Sequence, residues 1–345
     1  MIKKLSKKKK EEIILPGARY IYQSNRITNG RFPDFNMYHI KIFVCLIKQL
    51  QQAIQADMDG KQWQQLGLFE EVDTLYLKIA IPLSEISIPQ HYKEVIEAFE
   101  DIRKISYKIE SPFNKGYILH TGLIESFDAP KKENGKNVIY VKIHRDVAKE
   151  IVTITKNNDG KPISFTRYLY DVVMNSRSKY TWKVYSLISS WKVKGGFNIS
   201  LEEFRSIIGI KEEEYLNYSD LKRFVILPAH RELDHKSDCW FNCSERGFEE
   251  KKGKKVIGLR FKVISPALEE LALIKKHQAH QFLRTNANFK ASDLEAISAI
   301  FTTSADYGAI LGKIWDLIDY IKLHAKDIGE PKRYIIAALV NAFAK

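Results

Sequence analysis

The chain has 345 residues, 45% hydrophobic and 28% charged, the balance of a globular protein of two or three domains rather than a disordered or fibrous one. Its formal net charge is +13, which favours a polyanionic partner. Three cysteines make no disulfide framework and suit a reducing cytoplasm, and no apolar run reaches the roughly eighteen residues of a membrane span.

Residues 1–30 read as a basic flexible arm. Six of the first ten residues are lysines, and Glu11, Glu12 and Pro16 leave Ile13-Ile14-Leu15 too short for the apolar part of a signal peptide. The lysine run reads as a solvated tail, with added phosphate contacts as the alternative. Tyr20, Ile21 and Tyr22 alternate as one edge strand would.

Residues 31–160 are expected to form a first domain. Ile40, Phe43, Val44 and Ile47 share one face of a helix over 37–55. A linker precedes a strand at 74–79, and Pro82 and Ser84 introduce a short helical turn. Pro89 then opens a longer helix in a position where proline is tolerated, with Tyr92, Val95, Ile96, Phe99 and Ile102 as its buried stripe. Residues 117–126 and 137–143 are expected to pair around a basic tip carrying Lys131, Lys132 and Lys136. Helix, strand, short helix, longer helix, basic hairpin is the order of a winged helix. The longer helix carries Glu94, Glu97, Glu100 and Asp101 against Lys93, Arg103 and Lys104, and phosphates repel such a face.

Asn157-Asn158-Asp159-Gly160 reads as a break between domains, and residues 161–266 as a second winged-helix domain. A helix is expected over 179–192, then a short strand at 197–199. Ser200 and Glu203 form a capping box for a helix that carries Leu201, Phe204, Ile207 and Ile208 on one face and stops at Gly209. Ser219 opens the next helix, which buries Leu221, Val225 and Ala229. Ser219, Lys222, Arg223, Ile226 and His230 lie round the other side, with Arg231 beyond. Pro228 falls mid-helix and should kink it. Residues 239–243 and 256–264 read as strands. The turn before the second strand carries Lys251, Lys252, Lys254 and Lys255. In a winged helix-turn-helix the second helix enters a DNA major groove and the wing reaches a neighbouring backbone.

Residues 267–345 read as a helical C-terminal extension, with helices near 267–285, 292–301, 307–325 and 331–344. It has few basic clusters, so packing or a protein partner is its expected role, and truncation from 276 is expected to leave site-specific DNA binding nearly intact.

The run Tyr218-Ser-Asp-Leu-Lys-Arg-Phe-Val-Ile-Leu-Pro-Ala-His-Arg-Glu-Leu-Asp234, with Ser237-Asp238 and Gly253-Lys-Lys-Val-Ile-Gly-Leu-Arg-Phe-Lys-Val263, resembles plasmid replication initiators with two winged helices, the iteron-binding Rep family. The match is best over about 165–265, weaker but colinear over about 30–160, and absent after 270. The resemblance implies an α+β, helix-rich fold of two tandem winged-helix domains, here with the helical extension. It implies sequence-specific binding to repeated origin sites in double-stranded DNA, opening of the origin and repression of the protein's own gene. It further implies a monomer–dimer equilibrium, host replication proteins such as an initiator or helicase as partners, and a bacterial cytoplasm. Within that reading Arg223 contacts guanine, Lys222 a phosphate and Ile226 a thymine methyl. A winged-helix transcriptional regulator without an initiation role is the alternative, and a replication nickase the third.

No catalytic, cofactor or metal set is legible. His230 and His235 are five apart and share no helix face, and Phe241 between Cys239 and Cys243 points the way they do, as core would. Gly308 to Lys313 is one residue short of a phosphate loop, and no His-hydrophobic-His motif accompanies a nucleophilic tyrosine.

Overall fold

The computed structural model describes residues 19–71, 75–111, 114–131, 137–266, 268–301, 307–323 and 328–343. The helix Met37–Gln49 starts at a reciprocal cap: the Asn36 side chain accepts from the His39 N–H at 3.0 Å, and the His39 ring accepts from the Asn36 N–H at 3.1 Å. A second helix, Gln51–Met58, follows it, so the expected helix over 37–55 is two in tandem. Ile42 through Ile47 are buried without interruption. No amphipathic helix has such a run, and this one is packed on more than one side.

One of those sides is an antiparallel sheet in the order Glu70–Glu71, Tyr76–Pro82, Val138–His144, Ser126–Asp128. Leu77, Ile79 and Ile81 face Ile143, Val141 and Ile139 across the central pair, and all six are buried. Leu83–Ile86 and Tyr92–Lys104 complete the first helix-turn-helix, with Val95, Ala98, Phe99 and Ile102 turned inward. The expected strand over 117–126 is broken. Ile118–Gly122 pairs with Ser106–Glu110, and only 126–128 pairs with 138–144. A Cβ on Gly122 would lie 2.6 Å from the Ile124 carbonyl oxygen, so glycine permits the sharp bend that separates the two hairpins.

The N-terminal segment belongs to the core from Tyr20 onward. Tyr20–Ser24 runs antiparallel to Pro162–Leu169, from Tyr20 opposite Leu169 to Ser24 opposite Phe165. This ladder crosses the boundaries expected at 30/31 and 160/161. Asn157–Gly160 is the exposed tip between the paired strands Thr155–Lys156 and Pro162–Leu169, not a linker between domains. Local sequence marks a turn there equally well in either case. Lys183 strengthens the tie between the halves: its buried ammonium donates to the carbonyls of Ile27, Thr28 and Gly30, closing the short helix Asn25–Asn29.

The second half comprises Thr181–Ser190, Gly196–Ser200, Leu201–Ile208, the 218–233 helix, Trp240–Phe241 and the wing strands Glu249–Lys252 and Lys255–Ile264. Its core is aromatic: Phe197 stacks on Phe261 at 4.8 Å, and Phe204, Phe241 and Phe248 close round the same ring. One apolar cluster runs through both halves from Ile21 to Ile274.

The extension forms Leu268–Ala287, Ala291–Glu295, Tyr307–Leu323 and Pro331–Phe343 around a small core of its own that includes Leu283, Ile297, Ile314 and Leu339. Its first helix is docked on the rest. Ile274 joins the main core. Buried Lys275 lies 3.8 Å from Asp171, and the Gln278 amide donates to the Lys236 carbonyl at 3.0 Å.

Candidate nucleic-acid interface

The helix-turn-helix of the second half is held by its own backbone contacts. The Ser200 hydroxyl accepts from the Glu203 N–H at 3.1 Å, and Gly209 ends the helix Leu201–Ile208 with φ of 79°. Arg205, which the sequence did not single out, orders the turn by donating to the carbonyls of Glu214 at 2.6 Å and Tyr215 at 2.7 Å. Its only signal in the sequence is a basic residue in the last helical turn, where orphan carbonyls collect.

The next helix runs over 218–233 but is not uniformly α. Lys222–Ile226 forms a π turn, in which the Leu227 N–H reaches back five residues to the Lys222 carbonyl. A proline ring clashes with the carbonyl four residues before it, here that of Phe224, and the wider turn makes room for Pro228. The extra residue has a consequence for the outward face. Leu221, Val225, Ile226, Ala229 and Leu233 are all fully buried. Ile226 therefore does not face outward as expected and has no access to a thymine methyl. Lys222 is half-buried and ion-paired with Glu249 of the wing strand at 2.7 Å, so it fastens wing to helix instead of offering a free charge. His230 sets its ring edge-on against Phe241 at 5.2 Å.

What remains outward is a stripe of Ser219, Arg223, Phe224, Leu227, Pro228 and Arg231. Arg223 has no ion-pair partner among the described residues, and its guanidinium stands 5.1 Å from the Phe224 ring. Phe224 is 47% exposed, an uncommon place for a phenylalanine unless something covers it. A planar five-donor cation beside an open ring suits the edge and methyl groups of a base pair.

The wing turns at Gly253-Lys254, with Lys252 opposite Lys255 and Gly253 at φ of 63°, the left-handed conformation that a tight hairpin needs at its first turn residue. Lys251, Lys252, Lys254 and Lys255 are exposed, and Lys251 lies 3.0 Å from Glu249. Glu249 thus binds two lysines. Burial opposes its charge, but hydrogen bonds from Lys222 and Lys251 outweigh burial and hold the carboxyl at about 2.

The first half presents a different surface. Glu94, Glu97, Glu100 and Asp101 are exposed on Tyr92–Lys104 and are largely spent on neighbours: Lys93 with Glu97, Arg103 with Glu100 and Lys104 with Asp101. Lys131 is exposed. Lys132 and Lys136 lie outside the described residues. Of the residues considered for zinc, Cys239 is buried against Ser189 and His235 packs on Trp240. Among the described residues no group of three possible ligands comes together, and no helix is long and apolar enough to cross a membrane.

Two family models match this chain. Residues 20–189 match the model described as initiator replication protein, WH1, and residues 200–263 the model described as initiator Rep protein, WH2. The chain belongs to the initiator Rep protein family. The initiator is therefore a DNA-binding replication protein with two winged helices, and the first match begins at the strand Tyr20–Ser24 that the fold draws into the core. The helical extension beyond 263 lies outside both matches. No curated protein matches the chain.

Proposed function

We propose that this initiator recognises direct repeats in its plasmid origin through the 218–233 helix, and that the wing lysines hold the flanking backbone. The observation that carries the reading is the pairing of an exposed Arg223–Phe224 stripe with a lysine-tipped wing, the two fastened by the Lys222–Glu249 ion pair. Base-edge contacts supply specificity and phosphate contacts supply most of the affinity. The acidic, internally paired outer face of Tyr92–Lys104 favours backbone contacts or a protein interface for the first domain.

In this reading the bound protein helps open the adjacent duplex, recruits a host initiator or helicase, and represses its own gene from a related site as a dimer. It carries out no bond-breaking chemistry of its own. Footprinting purified protein on the DNA that flanks its gene tests the proposal. Protection of tandem direct repeats about two helical turns apart is the expected pattern. A single protected inverted repeat would make the protein a regulator. A nicked product abolished by one Tyr→Phe change would make it a nickase.

A further inference from the structure

Between the two winged helices and the extension lies a cleft of about 520 Å³. It shares Asp171, Asn175, Arg177 and Gln281 with a second cleft of about 290 Å³, which runs on to the helix-turn-helix of the first domain at Ser87, Ile88 and His91. The two form one continuous groove. Three separate elements bring cations to its first part: Arg177 from the connector after Tyr170–Met174, Arg231 and Lys236 from the end of the 218–233 helix, and Arg284 from Leu268–Ala287, which also contributes the His277 ring.

Among the described residues two carboxylates line this part, Asp171 and Glu232, and both are already engaged. Asp171 is buried and paired with Arg19 and Lys275. Glu232 accepts from the N–H groups of Arg177 and Ser178 at 3.0 and 3.2 Å and from the Thr181 hydroxyl at 2.6 Å. Among the described residues, Arg177, Arg231, Lys236 and Arg284 have no carboxylate within ion-pair distance, and all four are exposed. With Asp171 paired elsewhere, four exposed cations face the single Glu232 carboxylate, and this excess of positive charge raises the cost of the free fold. A bound polyanion relieves that cost.

Position says which polyanion. Arg231 sits on the same outward stripe as Arg223, eight residues on, which is at most about 12 Å at α-helical rise because the π turn between them shortens the advance. A B-DNA major groove is about 12 Å across. If Arg223 lies over base edges, Arg231 lies at or beyond the groove's rim, on the side where a phosphate strand passes, and the cleft opens beside it.

We infer that this cleft binds the DNA phosphodiester backbone, and that the extension completes it through Arg284 and His277. The inference rests on the assignment of the 218–233 helix to the major groove. It replaces the expectation that the extension stands apart from DNA. It also explains why Leu268–Ala287 is anchored so firmly: buried Lys275 on Asp171 and Gln278 on Lys236 hold the helix at the distance that aims Arg284 into the groove.

The test uses full-length protein carrying Arg177→Ala with Arg284→Ala, two exposed positions, beside Arg284→Lys and Arg223→Ala. Affinity for origin and for random duplex is measured from 50 to 200 mM salt. The double variant is expected to lower the salt slope by about two units and to weaken both duplexes by the same factor. Arg284→Lys should keep the slope of the parent. An unchanged slope with intact circular dichroism overturns the cleft as a backbone site, even if Arg223→Ala still erases the preference for origin DNA. If Arg223→Ala leaves that preference intact, the groove assignment beneath the inference falls instead. Thermal stabilisation by inorganic phosphate, lost in the double variant while the DNA slope stays unchanged, would mean a free-anion site and also overturn it.

Discussion

Arg223→Ala separates base readout from phosphate attraction, because the structure predicts its cost in the free protein to be small. The side chain is exposed, has no ion-pair partner among the described residues, and meets only the Phe224 ring at 5.1 Å. An exposed cation–π contact is worth about 0.5–1 kcal/mol, so the midpoint of thermal unfolding should fall by no more than about 3 °C. The loss on DNA should be larger. One bidentate arginine contact to guanine carries about 1–3 kcal/mol of discrimination, or roughly 5- to 150-fold, and that loss should appear on origin DNA alone. Lys254→Ala is the contrasting change. Lys254 sits at the exposed wing turn, and its removal should weaken origin and random duplex equally. It should also reduce the salt slope by about 0.9, so the variant loses about 3.5-fold less affinity than the parent between 50 and 200 mM salt. Fluorescence anisotropy with both duplexes at four salt concentrations measures all of this. If Arg223→Ala weakened origin and random DNA by the same factor, the outward stripe would be a phosphate surface and the assignment of this helix to base reading would be wrong.

The remaining predictions follow from particular contacts. Ile226→Ala should destabilise the fold by about 2–5 kcal/mol in urea, because the side chain is fully buried, while the folded fraction keeps its ratio of origin to random binding. A changed ratio would put Ile226 back at the interface. The Glu249 carboxyl is held at about 2, below its usual 4.5, so its contribution to stability is complete above about 4.5 and drains away as the pH falls toward 2. Glu249→Gln should flatten the acid limb of the stability profile in that window, and an identical limb in both proteins would refute the ion pair. Proteolysis should cut the exposed 157–160 tip, yet the two fragments should co-elute under native conditions because Tyr20–Ser24 stays paired with Pro162–Leu169. Fragments that separate freely would restore a domain boundary at that point.

Several features of this initiator are local and therefore legible in its sequence. The cap at Ser200, the stop at Gly209, the buried spacing of Leu221, Val225 and Ala229, and the alternation of Leu259, Phe261 and Val263 with Arg260 and Lys262 each depend on neighbours a few residues away, although Ile257, expected on the same face, is exposed. The exposed lysines of the wing tip are of the same kind, because a two-residue turn at Gly253-Lys254 leaves its flanking side chains in solvent. The outward side of the 218–233 helix was only half legible. A uniform α-helix places Ile226 beside Arg223, and the π turn that turns it inward is induced by a proline two residues later acting within a packed core. The strand Tyr20–Ser24 was legible as an edge strand, but its place in the fold was not. Its partner lies some 140 residues away, and nothing in a five-residue alternation names the strand it will join. The basic cleft is the extreme case. Arg177, Arg231 and Arg284 are each ordinary exposed arginines in sequence. Only the docking of Leu268–Ala287, through Lys275 and Gln278, converts them into one electrostatic surface. Short-range order follows from dihedral preference and hydrophobic spacing. Which charges stand together is decided when distant elements pack.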